Sequence, residues 1–154
     1  MLDICHVIKK TSMRLEFKLL SLFLMGMISL NAQQKNETFD VTVNISNFKN
    51  NKGLVLVSLC NTKETFLVGG IKSAKLKITN KSCSITFKDL PKGTYAISMF
   101  HDENENNKLD TNFLGIPKES YGCSNNARGH FGPPKWEDAK FEINHSNIIQ
   151  NIKL

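Results

Sequence analysis

Arginine is almost missing from this chain: of 20 Lys and Arg residues, only Arg14 and Arg128 are arginine. No block of basic residues occurs anywhere, so there is no electrostatic footprint for nucleic acid. No CxxC pair and no Cys/His spacing of a zinc site is present, and no lipobox cysteine stands near Ala32, because Cys5 lies upstream of the apolar run. A lipid-anchored maturation is therefore not the expectation. After residue 32 there is no helical periodicity of ordinary length, no internal repeat and no low-complexity tract beyond a general richness in Asn.

What is present begins with a leader. Residues 13–32 read MRLEFKLLSLFLMGMISLNA: Arg14 and Lys18 in front, an apolar run from Leu19 to Leu30, and a small residue, Ala32, at a cleavage position. This is the three-part pattern of a secretory signal peptide, and the apolar run is short for a span of about 20 residues; a retained single-helix anchor is the competing reading. Met13 is an alternative start, which would make residues 1–12 a start-site artefact. Removing 1–32 leaves 33–154 as one domain, exported to the periplasm or beyond, with no membrane span in the mature chain. The leader holds four Lys or Arg and two Asp or Glu, so the remaining charge is 16 minus 12, or +4.

That remainder keeps Cys60, Cys83 and Cys123, an odd number for an exported chain. A Cys60–Cys83 bridge requires their strands to pair; three buried free thiols are the alternative. Strand patterns dominate. Phe39, Val41, Val43 and Ile45 alternate with polar residues; an NKG turn at 51–53 leads to LVLVSL at 54–59, and the two runs read as an antiparallel hairpin. Residues 61–76 read as a loop that tucks an apolar patch, 66–68, onto the core. Leu76 and Ile78 mark a short strand. SITFKDL and TYAISMF flank PKG at 91–93, and residues 138–143 and 148–154 read as closing strands. The expectation is an all-β antiparallel β-sandwich with one long loop at about 101–136.

That loop, HDENENNKLDTNFLGIPKESYGCS over 101–124, is the densest run of ligand-type residues in the chain. Counting Asp102 as position one, alternate residues Asp102, Asn104 and Asn106 offer side-chain oxygens, Lys108 a backbone carbonyl, and Asp110 a carboxylate at position nine. A hard cation such as Ca²⁺ takes oxygens supplied this way as a loop curls. Position six, Asn107, tolerates the positive φ required there. Position twelve is Phe113, not the bidentate Glu of an EF-hand, and no helices flank the loop. Glu119, after Pro117, is the candidate to fold back as the missing carboxylate. With so few acids, affinity is expected at the extracellular end, on the order of 10⁻⁴ to 10⁻³ M. The competing reading is a polar loop held by its own Asx-turns without an ion.

Asp102, Glu119 and His101 offer an acid/base set, and Cys123 with His130 a thiol nucleophile and base, but neither has a third orienting group in the sequence. Asp102, Asp110 and Glu119 fit a metal-dependent hydrolytic enzyme, and a non-enzymatic module is the expectation. Phe113, Tyr121, Phe131 and Trp136 are the aromatics such a loop would present to a partner, a glycan or an envelope protein, although Trp136 also suits a place under the loop as core.

The stretch from LPKGTYAISMFHD through GPPKWEDAKF resembles the bacterial family called domain of unknown function 2141, over roughly 37–154. Its motif, about hDxNxNgklDtnxxGiPxEgyGfSn, is matched by Asp102, Asn104, Asn106, Asp110, Gly115, Pro117, Glu119, Gly122 and Ser124. Glu105 and Asn107 stand where glycine is common, Ser120 replaces glycine, and Cys123 replaces an apolar residue. The resemblance implies an exported β-rich domain, immunoglobulin- or transthyretin-like, without an established activity, and Cys123 as a buried thiol.

Overall fold

The structure is a computed structural model that describes residues 37–130 and 132–154; the leader expected at 1–32, and Phe131, lie outside the described residues. Glu37–Leu154 forms one compact unit. The strands are β1 (Thr38–Ser46), β2 (Leu54–Cys60), β3 (Lys72–Lys77), β4 (Ser82–Pro91), β5 (Gly93–Asp102), β6 (Tyr121–Cys123), β7 (Phe141–Ile143) and β8 (Ile148–Lys153). A three-stranded sheet runs β4-β1-β8, and a second runs β3-β2-β5-β6, with β7 also paired to β5. Two packed, mainly antiparallel sheets make the all-β sandwich that the alternation predicts.

Period-two patterning fills the space between them. Val41, Val43 and Ile45 of β1 face Val55, Val57 and Leu59 of β2 and Tyr95, Ile97 and Met99 of β5, all buried in one apolar cluster. Burying each such side chain contributes about 1.5–3 kcal/mol. β2 is the central strand that its apolar run suggests, lying between β3 and β5.

Strand pairing departs from expectation in three places. β1 and β2 are not a hairpin: β1 pairs with β4 and β8, β2 with β3 and β5. Phe48 follows β1 and is itself buried in the core, so the chain crosses between sheets there rather than folding back within one. Burying Phe48 outweighs local pairing. β1 and β8 run parallel, which no alternation pattern reveals. A register shift opposite Phe39–Val41 comes where Asp89 has φ 57°, and this bulge lets both Phe87 and Leu90 face the core despite their spacing of three.

The sandwich sides are closed differently. On one, Lys72 Nζ donates to the Lys88 carbonyl, tying β3 to β4. On the other, the Lys153 N–H donates to Asn126 Oδ1 (2.8 Å), and Asn126 Nδ2 donates to the Asn151 carbonyl (3.1 Å), covering the β8 edge. The excursion from 101 to 136 therefore is not loop throughout. Its second half contains β6 and a 3₁₀ turn at Ser124–Asn126, with Ser124 buried between the Ile97 N–H and the Ala139 carbonyl.

Candidate functional site: the Asp/Asn loop

Residues 103–119 leave the end of β5, where Asp102 pairs with Leu54 of β2. The approach is close enough that a Cβ on Gly53, whose φ is +66°, would stand 2.0 Å from the Asp102 carbonyl oxygen; only glycine fits there. His101, one residue before the end of β5, is fully buried. Its Nε2 donates to the Lys52 carbonyl (2.7 Å), and Phe48 packs edge-on against the ring (5.2 Å). Nδ1 has no hydrogen-bond partner, with Glu103 Oε1 3.9 Å away. His101 is a strand-end residue, as its position suggests.

Asp102 is 0 % exposed. Its Oδ1 accepts the Asn106 N–H (3.0 Å) and its Oδ2 the Asn107 N–H (2.7 Å), so one carboxylate winds the loop around itself. The curl needs positive φ at Glu105 (60°) and Asn107 (63°). Asn104 Oδ1 accepts the Asn106 N–H (3.1 Å), and Asn106 Oδ1 accepts the Lys108 N–H (2.8 Å). These Asx-turns orient both amides. Their Nδ2 groups converge on Asp110, at 2.7 Å from Asn104 and 3.0 Å from Asn106. Lys75, from β3, donates to Asn107 Oδ1 (2.6 Å).

Glu119 does fold back, but onto backbone. Its Oε1 accepts the Glu103 N–H and its Oε2 the Asp110 N–H, both at 3.0 Å. One buried carboxylate thus clasps both legs of the loop, assisted by the Lys118 N–H on the Asp110 carbonyl (2.8 Å) and the His101 N–H on the Ser120 carbonyl (2.8 Å). The clasp exists because the fold brings residues 103, 110 and 119 together, which no local spacing encodes.

Asn104, Asn106 and Asp110 are therefore brought together by their side chains, while Asp102 holds the Asn106 and Asn107 N–H groups, Lys108 is tied in through its N–H, and Glu119 stands at the base. Among the described residues, no three His, Cys, Asp or Glu side chains form a group able to hold a metal ion. Asp102, Asp110 and Glu119 do not assemble the three-carboxylate cluster of the hydrolytic reading.

The thiol reading also loses its chemistry. Cys123 is buried, and burial pushes its thiol up to about 12, away from the thiolate a nucleophile needs; His130 is exposed. Trp136 packs edge-on against Phe66 at 5.8 Å and lies half-buried against the small cluster of Phe66, Ala96, Cys123, Ala127 and Ala139, so it covers the core and does not reach out as a free loop aromatic. Tyr121 is half-buried on β6, and among the described residues Phe113 is the aromatic most open to solvent.

Residues 43–151 match the family described as "uncharacterized protein conserved in bacteria (DUF2141)". The chain belongs to this family. The match runs from within β1 into β8, so the DUF2141 domain includes both sheets and the whole Asp/Asn loop. No curated protein and no solved structure matches the chain.

Proposed function

We propose that this DUF2141 domain is an exported binding or structural module whose loop over 102–110 is stabilised by Ca²⁺. The convergence of the Asn104 and Asn106 side chains on the Asp110 carboxylate carries this reading. Residues two and four apart in a curled loop bring their polar ends to one point, beside the buried Asp102. To offer oxygen to a cation at the place where they now donate to Asp110, both amides would turn over and exchange their Asx-turn bonds to the Asn106 and Lys108 N–H groups for bonds to the ion. Asp102, Asn104, Asn106, Asp110 and the Lys108 carbonyl would hold the ion, with Glu119 holding the loop's legs. Ca²⁺ suits this set because it accepts a flexible cage of neutral and anionic oxygens. Export rests on the leader pattern at 13–32. A glycan or an envelope protein is the partner class suggested by the loop aromatics in the sequence, of which Phe113 is exposed.

Thermal melting in millimolar Ca²⁺ and in EDTA tests the ion. Ligand linkage predicts a gain on the order of 1 kcal/mol, a shift of a few degrees. Asp110→Asn should abolish most of it, because the clustered charge falls while the shape is kept. Identical melts in both buffers would leave the loop as an ion-free polar structure held by its Asx-turns. Mass spectrometry of the exported protein should show a chain starting after Ala32; an intact leader would point to the anchor instead.

A further inference from the structure

Beyond the ion, the tip of the same excursion carries a surface that the sandwich does not use. Phe113, Leu114 and Ile116 are 94, 68 and 56 % exposed, although the turn that bears them is tightly built. Asn112 Oδ1 accepts the N–H groups of Leu114 (2.9 Å) and Ile116 (3.0 Å). The Asn112 N–H donates to the Ile116 carbonyl and the Gly115 N–H to the Asn112 carbonyl. Gly115 supplies the φ of +77° that closes the turn, and Thr111 pairs with Pro117 at its base.

We propose that residues 111–117 dock into the interfacial region of a lipid bilayer, with the divalent cation of the neighbouring loop controlling the approach. Three observations single out lipid. The N–H groups of 112, 114, 115 and 116 are already bonded inside the turn, so of residues 112–116 only Phe113 takes an unbonded N–H towards an apolar medium. Exposed Lys108 and Lys118 flank it, and their long stems keep the ammonium groups at headgroup level while the tip lies deeper. A tip of this size offers far fewer residues than the roughly 20–30 per side of a stable protein interface, whereas insertion needs only a few bulky apolar side chains.

Charge supplies the control, and this part rests on the calcium reading. Residues 101–119 hold Lys108 and Lys118 against Asp102, Glu103, Glu105, Asp110 and Glu119, or 2 minus 5, −3. Lys75, bonded to Asn107, brings the sum to −2, and a divalent cation brings it to zero. An anionic bilayer repels the bare loop and not the loaded one.

The test uses the full chain with Phe113→Trp and vesicles of brominated phosphatidylglycerol, the parent chain giving the Trp136 baseline. In millimolar Ca²⁺ the introduced indole should be quenched and blue-shifted, and in EDTA it should not. On zwitterionic phosphatidylcholine the two buffers should give equal quenching. In the parent chain, Phe113→Ser with Leu114→Ser should lower Ca²⁺-dependent vesicle partitioning by about tenfold or more. Val68→Ser, at another exposed apolar position (86 %), should leave it unchanged. Absence of quenching in every buffer overturns the proposal and returns the tip to a glycan or protein partner. If melting still rises with Ca²⁺, only the docking has failed. Equal quenching on anionic vesicles with and without Ca²⁺ overturns the charge control, and the melt then decides separately whether the loop binds the ion.

Discussion

At the residue scale, Glu105 and Asn107 show how a short polar loop is made to curl. Both sit at left-handed backbone angles, which cost a non-glycine residue about 1–2 kcal/mol, least for Asn. Glu105→Gly is expected to stabilise the chain by about 1 kcal/mol after the added freedom of the unfolded state is deducted. Chemical denaturation measures this, and an unchanged midpoint would show that the loop stores no strain at 105. Cys123 yields a pH prediction. Burial raises its thiol from 9.0 to about 12, so the folded chain keeps a proton that the unfolded chain loses first. Stability is fully present below about pH 9 and declines as pH climbs towards 12. Cys83, raised to about 11, adds to the decline. Cys123→Ala should flatten part of the slope in melts across this range.

At the scale of elements, the loop is a unit because two carboxylates organise its backbone: Asp102 the near half, Glu119 the base. Glu119→Ala leaves the N–H groups of Glu103 and Asp110 without their acceptor and should cost about 2–3 kcal/mol. Hydrogen exchange should accelerate first at those two amides while β1 and β2 stay protected. Uniform acceleration through the core would mean that Glu119 supports the whole sandwich instead of the loop. Alternation located most strands, since a half-buried strand leaves a period-two signature. It missed the Asp89 bulge because an inserted residue leaves the same composition behind. It also read a closing strand from Asp138, where Trp136–Ala139 forms a single helical turn, too short for any periodicity.

At the scale of the molecule, four connections change sheets: β1 to β2, β3 to β4, β4 to β5 and β7 to β8. This decides the cysteines. Cys60 lies on β2 and Cys83 on β4, in different sheets, and Cys60, Cys83 and Cys123 are all free thiols. Cys83 is only half-buried, so three fully buried thiols is not the arrangement either. A reductant should therefore leave the melting midpoint unchanged; a clear fall with dithiothreitol would reveal a bridge.

The chain alone determined the all-β class, the faces of most strands and the ligand-type character of 102–110, because these depend on residues close together in sequence. It also carried the family motif, of which Glu119 is part. Which strands became neighbours was left to tertiary structure, since a buried face satisfies the same alternation in either sheet and only the shared core selects the partner. Tertiary structure likewise decided that Glu119 holds backbone, that Trp136 packs inward and that Phe113 stands in solvent. Each depends on what a distant segment places beside the residue.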